Sequence, residues 1–163
     1  METTPPPRTF EVSATRTIPA SPSAVYAVFA DYLEAHPRIL PPSFFVENGG
    51  LGEGTIILVE GRFAGKVRTI RGVVTEPEPG RLLVESYPSE RMVTSFRVEP
   101  AAGTSSASVT ISTEMPRRAA PVGWLEERLV RRLLGRVFTE ELDLVAAYLA
   151  SDKSSAPTIR PIG

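Results

Sequence analysis

The sequence contains no cysteine and a single histidine, His36, in 163 residues. The absence of thiols excludes disulfide bonds, a thiolate nucleophile and cysteine-ligated zinc. One histidine is too few for a multi-histidine metal centre. We therefore expect a protein that works with no metal and no other cofactor.

Excess charge of one sign and long apolar runs are also missing. The 18 basic and 19 acidic residues nearly balance, which removes the usual electrostatic argument for a nucleic-acid or membrane-surface partner. The apolar runs are a few residues long, whereas a bilayer-spanning helix needs about 20 apolar residues. The first eight residues, METTPPPR, lack the apolar core of a signal peptide. We predict a soluble cytoplasmic protein, monomeric or homodimeric, with no nucleic-acid partner and no stable membrane insertion.

The length fits one domain. Residues 1–8 and 151–163 are polar and contain proline, and we predict that both are flexible tails. Residues 9–150 contain no internal repeat, and their apolar residues change from strand-like to helical spacing and back. We predict that they form a single domain.

The domain begins with the pattern of a strand followed by a short helix. Apolar and polar residues alternate strictly from Thr9 to Thr17, which predicts a half-buried strand. Ser21 is a candidate N-cap, and Pro22 occupies the first helical position, where its missing N–H is not needed. The helix is predicted to bury one apolar face and to end near Pro37, since proline cannot continue it. That face consists of Val25, Val28, Phe29, Tyr32 and Leu33.

Six strand-like segments follow, separated by short sequences rich in turn-forming residues. They span residues 44–47, 55–63, 66–76, 81–87, 92–99 and 107–114. Connections this short allow only hairpins, because parallel crossovers need a dozen or more residues. The sequence therefore predicts an antiparallel meander.

From about residue 121 to residue 150 the apolar residues return to helical spacing. The predicted apolar stripe consists of Val122, Leu125, Leu129, Leu133, Val137, Leu144 and Tyr148, broadened by Val130, Leu134 and Val145. A helix of this length measures on the order of 40 Å. Because one side of it is apolar, we expect it to pack against the sheet.

Two motifs connect this order of elements with a known family. The first is I-x-A-x-P-x-x-V-x-x-V-F-x-D at Ile18–Asp31, and the second is G-x-G-T at Gly52–Thr55. Over residues 9–150 the sequence resembles the START-like superfamily, also called SRPBCC, which includes polyketide cyclase/dehydrase-like and pollen-allergen-like proteins. The resemblance implies an α+β helix-grip fold. In that fold a curved seven-stranded antiparallel sheet wraps around the long C-terminal helix, a short broken helix pair follows the first strand, and an apolar cavity lies between sheet and helix.

Clean alternation predicts which strand residues face the helix. These residues are Phe10, Val12 and Ala14 in the first strand, Leu82 and Val84 in the fifth, Met92, Thr94, Phe96 and Val98 in the sixth, and Ala107, Val109, Ile111 and Thr113 in the seventh. Residues 55–76 are ambiguous, since four apolar residues run together there. With the cavity that the resemblance implies, the predicted ligand-binding residues are Val59, Phe63, Val84, Thr94, Phe96, Val109, Ile111, Leu129, Leu133, Val137 and Glu141. Plain core packing is the alternative for the apolar members.

Glu141, Arg71 and Tyr87 are the candidate catalytic residues. Glu141 falls near the middle of the apolar stripe, where an unpaired carboxylate is very costly. It would anchor a ligand or accept a proton, or else reach solvent or pair with an arginine. Arg71 would act only if it faces inward, and Tyr87 only if its hydroxyl enters the cavity. Nothing near His36 in the sequence is suited to orient its ring, and we interpret it as structural.

The function favoured by these features is the binding or transport of a small hydrophobic or amphipathic molecule, such as a lipid, a polyketide or a quinone-like compound. The alternative is an aromatase/cyclase or dehydratase that acts on a polyketide-like substrate, because the family that the sequence resembles includes such enzymes. A co-chaperone-like role in protein interaction is a third possibility. The sequence shows no nucleophile–base pair, metal cluster or phosphate-binding loop, which favours binding over catalysis.

Overall fold

The structure, a computed structural model, describes residues 8–40, 44–63, 66–102, 105–119 and 122–154. Within these residues it contains seven strands and two α-helices. In chain order they are β1 (Thr9–Ile18), α1 (Pro22–Ala30), β2 (Phe44–Asn48), β3 (Ile56–Phe63), β4 (Lys66–Glu78), β5 (Leu82–Tyr87), β6 (Met92–Pro100), β7 (Ala107–Pro116) and α2 (Val122–Ser154). Two 3₁₀ turns, His36–Arg38 and Pro88–Glu90, follow α1 and β5.

The seven strands form one antiparallel sheet in the order β1-β7-β6-β5-β4-β3-β2. Strands β2 to β7 follow one another as a meander, and β1 pairs along its whole length with β7. Every predicted strand agrees with its observed bounds to within two residues. The predicted helix-grip fold, a curved sheet with a long C-terminal helix, is confirmed.

Helix α1 begins as predicted and ends earlier than its apolar pattern suggests. The Ser21 hydroxyl accepts a hydrogen bond from the Ala24 N–H, and the helix stops at Ala30. Asp31 then closes a tight turn, because its carboxylate accepts from the N–H groups of Leu33 and Glu34. Leu33 therefore lies outside the helix and is exposed. Its predicted place on the buried face was wrong.

The loop between β2 and β3 holds this turn in place. The Gly50 carbonyl accepts from the Tyr32 N–H at 2.8 Å, and the Gly52 N–H donates to the Ala30 carbonyl at 2.8 Å. The Thr55 hydroxyl in turn accepts from the Gly50 N–H. Gly52 has a φ of +56°, and a Cβ there would lie 2.3 Å from a Glu76 carboxylate oxygen. The G-x-G-T motif thus orients the segment that carries Tyr32.

Strand β5 presents the opposite face from the one predicted. Leu83, Glu85 and Tyr87 are buried, whereas Leu82 and Val84 are only partly buried and lie on the other side of the sheet. Side chains alternate with a period of two, so a shift of one residue exchanges the two faces. The prediction that Leu82 and Val84 face inward was wrong.

Helix α2 buries a different part of its circumference from the predicted stripe. Phe138, Glu141, Leu142 and Val145 are buried, and the helix packs mainly against β1 and α1. The stripe's exposed members are Val122, Leu125, Leu129, Leu133, Val137 and Leu144. Apolar residues cover more of the helix than its neighbours can contact, and the pattern alone did not identify the contacting arc. The helix continues to Ser154, four residues into the segment predicted as a tail.

Candidate functional site

A row of polar side chains crosses the inward face of the sheet. Glu85 of β5 pairs in register with Thr94 of β6, which pairs with Thr113 of β7. The two threonine hydroxyls are hydrogen-bonded at 2.8 Å. All three side chains are buried. A buried carboxylate is costly unless it is hydrogen-bonded, so the partners of Glu85 decide what this row can do.

Two tyrosines satisfy the Glu85 carboxylate. The Tyr32 hydroxyl donates to Oε1 and the Tyr87 hydroxyl to Oε2, both at 2.7 Å. Burial, reinforced by the nearby Glu85 charge, raises the pKa of Tyr32 and of Tyr87 far above the usual range. Both phenols therefore keep their protons and act as donors. A Cβ at Gly72 would lie 2.7 Å from the Tyr87 ring, so glycine on β4 leaves room for Tyr87 to reach Glu85.

His36 lies beside this carboxylate and is fully buried. Its Nδ1 is 2.6 Å from the Phe29 carbonyl oxygen and donates to it, which leaves Nε2 without a proton in the neutral ring. Nε2 is 4.0 Å from Glu85 Oε1 and has no hydrogen-bond partner among the described residues. Burial lowers the pKa of His36, although the Glu85 charge opposes this shift. We call Glu85, Tyr32, Tyr87 and His36 the Glu85 cluster.

Glu141 brings a second carboxyl group to the same region from α2. Its side chain is 4% exposed, and Oε1 has no hydrogen-bond partner among the described residues. Burial first, and the Glu85 charge second, raise the pKa of Glu141 well above its ordinary value. The Glu141 charge also contributes to the raised pKa of Tyr32 and of Tyr87. Glu141 and the Glu85 cluster are therefore electrostatically coupled.

Glu141 also lines an open groove between α2 and the two residues, Ile39 and Leu40, that follow the 3₁₀ turn. The groove has a volume of about 210 Å³ and is lined by Ile39, Leu40, Val137, Glu140, Glu141 and Leu144. Four of these six residues are apolar. We call this feature the α2 groove. The groove thus brings an apolar surface to Glu141, a residue with one buried, unpartnered oxygen whose carboxyl group is close enough to Glu85 to be affected by its charge.

Two of the predicted ligand-binding residues, Val137 and Glu141, line the α2 groove. Most others pack in the core. Val109, Ile111 and Phe96 are buried, and Phe96 contacts the rings of Phe29 and His36. Thr94 belongs to the polar row, and Val59 is partly buried on the inward face of β3. The side chain of Phe63 lies outside the described part of the structure.

Four predicted site residues lie elsewhere. Val84 faces away from the core, as described above. Arg71 is exposed and donates to a Glu47 carboxylate oxygen at 2.7 Å, because its position on β4 points outward. Leu129 and Leu133 are exposed, with 57% and 53% of their surface accessible, and do not line the groove. Their predicted inward positions were wrong, since α2 turns a different arc toward the core.

The sequence reasoning missed Glu85 and Tyr32 as site residues. The signal for Glu85 was present, because Tyr87 was considered as an inward residue and Glu85 shares its parity on β5. The apolar residues Leu82 and Val84, which lie on the opposite face of β5, were predicted to face inward instead. Tyr32 was predicted to lie on the buried face of the helix. The turn at Asp31, which directs Tyr32 toward the sheet, was not predicted. His36 was interpreted as structural, and the carbonyl that orients it belongs to Phe29, seven residues earlier.

Two further observations concern metals and membranes. Across the described ranges, no group of three or more histidine, aspartate or glutamate side chains is arranged to hold a metal ion. No helix in those same ranges combines the length and hydropathy needed to cross a bilayer.

Comparison with known proteins gives one family match. The sequence profile of a family described as polyketide cyclase/dehydrase and lipid transport matches residues 9–150. No curated protein matches the chain. The matched range includes every strand and most of α2, and therefore both the Glu85 cluster and the α2 groove.

Several solved structures share the fold. KanY protein, known from an NMR solution structure, is 24% identical, with a TM-score of 0.74 over 88% of this chain and 99% of that one. The Zhui aromatase/cyclase from Streptomyces sp. R1128 is 18% identical, with a TM-score of 0.68 over 91% and 98%. Norcoclaurine synthase from Thalictrum flavum, solved as a point mutant with a transition-state analogue, is 20% identical, with a TM-score of 0.66 over 90% and 98%. At these identities the likeness concerns the fold.

Proposed function

Since the chain belongs to the polyketide cyclase/dehydrase and lipid transport family, we propose that it binds a small, mainly apolar molecule in the α2 groove. The polar end of the molecule contacts Glu141, and its apolar part lies against Ile39, Leu40, Val137 and Leu144. A binding function is consistent with the lipid transport named in the family description. It involves no chemical change of the ligand.

The observation that carries this proposal is the unpartnered Oε1 of Glu141 at an apolar groove. Buried polar atoms are almost always hydrogen-bonded, and an exception in a native fold calls for an explanation. A ligand that supplies the missing hydrogen bond explains both the buried acceptor and the apolar walls around it. Affinity would come from the apolar contacts, at about 25 cal/mol per Å² buried, and orientation from Glu141.

The volume of the groove guides the choice of a first probe. A cavity of about 150 Å³ is large enough for benzene, and the groove measures about 210 Å³. A single aromatic ring with a short alkyl substituent fits this volume. 4-Propylanisole, which is neutral and has no hydrogen-bond donor, is therefore a suitable first probe of the apolar site.

Filling the groove should abolish binding of this probe. We expect Leu144→Trp to weaken 4-propylanisole binding at least about tenfold, because the indole ring would occupy the ligand volume. Leu144 is 46% exposed, so the larger side chain does not overpack the core. The measurement is isothermal titration calorimetry of wild type and variant.

Leu129→Trp is the matched control for this substitution. Leu129 is an exposed leucine on the same helix, outside the groove. It should leave the affinity within about twofold of wild type, since no contact with the probe changes. Equal affinities of wild type and Leu144→Trp would contradict the proposed function.

A second candidate function is acid–base catalysis on the bound molecule. The Glu85 cluster together with Glu141 favours it, because two carboxyl groups, two phenols and an oriented imidazole lie together out of water. Groups whose pKa is shifted by burial and by a like charge are typical of sites that move protons. Glu141, which belongs to both the groove and this electrostatic network, would transfer the proton.

Glu141→Gln separates the two functions once a substrate is available. For an enzyme, this variant should lower kcat by at least about 100-fold while KM changes little, because the amide keeps its acceptor oxygen but cannot transfer a proton. For a binding protein, there is no turnover to lose. Unchanged kcat in the variant would exclude Glu141 as the proton-transferring residue.

A further inference from the structure

The charged residues that line the α2 groove are acidic. They are Glu140 and Glu141, and none of the six lining residues is basic. The basic residue next to Ile39 is Arg38, and its guanidinium lies 3.5 Å from Glu34 and over the Tyr148 ring. Among the described residues that line the groove, none therefore offers a cation to an anionic ligand group.

The groups behind the groove reinforce this preference. Glu85 adds a second buried carboxyl group, and its acceptor oxygens are engaged by Tyr32 and Tyr87. His36 presents an unprotonated Nε2, which is an acceptor, and burial lowers its pKa so that it stays neutral. Two buried side-chain atoms of this region, Glu141 Oε1 and His36 Nε2, have no hydrogen-bond partner among the described residues, and each can accept a hydrogen bond.

We infer that the ligand's polar end is a hydrogen-bond donor, a phenolic, enolic or alcoholic hydroxyl, and that the groove rejects carboxylate and phosphate head groups. The hydroxyl donates to the Glu141 carboxyl group. This assignment rests on the proposed function and specifies its ligand class.

The protonation of Glu141 is compatible with this role. A carboxyl group that carries a proton still has one acceptor oxygen, and an ionised one has two. A hydroxyl donor is therefore recognised in either state. An anionic head group meets carboxylate repulsion when Glu141 is ionised. When Glu141 is protonated, its single O–H is the donor that it offers, and none of the described groove-lining residues is a cation that balances the charge of the head group.

Three ligands of matched apolar size test the inference. 4-Propylphenol donates a hydrogen bond, 4-propylanisole only accepts one, and 4-propylbenzoate is an anion at neutral pH. We expect the phenol to bind wild type about tenfold more tightly than the anisole, the effect of about one hydrogen bond. We expect the benzoate to bind at least about tenfold more weakly than the anisole. Calorimetric titration at pH 7 measures all three.

Two variants assign the preference to Glu141. Glu141→Leu, which removes the acceptor at similar volume, should bring the phenol and anisole affinities within about twofold of each other. Glu141→Gln keeps an acceptor oxygen and should retain most of the preference for the phenol. Continued binding of the anisole shows that each variant keeps the groove intact.

The outcomes separate the inference from the proposed function. Binding of none of the three compounds to wild type would refute both. Binding of the anisole with equal or weaker binding of the phenol, or tighter binding of the benzoate than of the anisole, would refute the inference alone. A phenol preference that persists unchanged in Glu141→Leu would also refute it, since the acceptor would then lie elsewhere.

Discussion

Replacing Glu85 with leucine is expected to lower the free energy of unfolding by about 2–4 kcal/mol, because it leaves two buried tyrosine hydroxyls without acceptors. Tyr32 and Tyr87 each donate to this carboxylate at 2.7 Å, and all three side chains are buried. Leucine is similar in volume to glutamate, so the loss would come from the orphaned hydroxyls and not from a cavity. Urea unfolding followed by circular dichroism measures it.

A triple variant, Tyr32→Phe, Glu85→Leu and Tyr87→Phe, is the control for this interpretation. It removes donors and acceptor together, and replacing a whole buried polar group by apolar side chains is often neutral or stabilising. We expect it to recover most of the stability that Glu85→Leu loses. A single variant as stable as wild type, or a triple variant less stable than the single one, would show that the three side chains do not form one unit.

Glu141→Gln is expected to stabilise the protein increasingly as the pH rises. In the folded protein, burial and the Glu85 charge raise the pKa of Glu141 above its ordinary 4.5. The folded state therefore holds this proton at pH values where the unfolded state has lost it. With a raised folded pKa, wild-type stability falls as the pH rises above about 4.5, by up to about 1.4 kcal/mol per pH unit.

The comparison between variant and wild type isolates this effect. His36 acts in the opposite direction: its pKa is lowered from 6.5, so stability falls as the pH drops below that value. Since His36, Glu85, Tyr32 and Tyr87 are present in both proteins, the difference in unfolding free energy reports chiefly on Glu141. That difference should grow from pH 4.5 upward in urea unfolding at a series of pH values.

Glu140→Gln provides the matched control, because it removes an exposed carboxylate one residue earlier on the same helix. A pH-dependent change that the two variants share would come from the loss of a charge on this part of α2 and not from the buried position of Glu141. A pH-independent difference for Glu141→Gln would mean that Glu141 is solvated in the folded protein. The carboxyl would then not be the unpartnered buried group on which the proposed function rests.

The fold could be predicted from the sequence because its signals are local. Alternation in β1, β6 and β7, the Ser21–Pro22 cap and the short turns each specify an element without reference to the others. Hairpin-length connections then leave little choice of topology. The family motifs at Ile18–Asp31 and Gly52–Thr55 agree with that reading, and the second of them turned out to orient Tyr32 through the Gly50 carbonyl.

The site was predicted less well because its residues meet only through tertiary structure. Glu141 was singled out because it falls among apolar residues, and its side chain is buried in the structure. Glu85 was not predicted as a site residue because the wrong face of β5 was assigned to the core. Both faces of that strand carry apolar residues, Leu82 and Leu83 among them. Leu129 and Leu133 were misplaced because an apolar pattern around a helix does not specify which arc its neighbours cover.

The identification of the α2 groove as the ligand site is tested most directly by locating a bound ligand. Intermolecular nuclear Overhauser effects can be measured between 4-propylphenol and the methyl groups of a leucine-, isoleucine- and valine-labelled sample. We predict contacts from the ring protons to Val137 and Leu144 and to the Ile39–Leu40 segment, and none to Leu129 or Leu133. Contacts confined to Leu129 and Leu133, or bound phenol with no contact to Val137 or Leu144, would contradict the assignment of the ligand site to this groove.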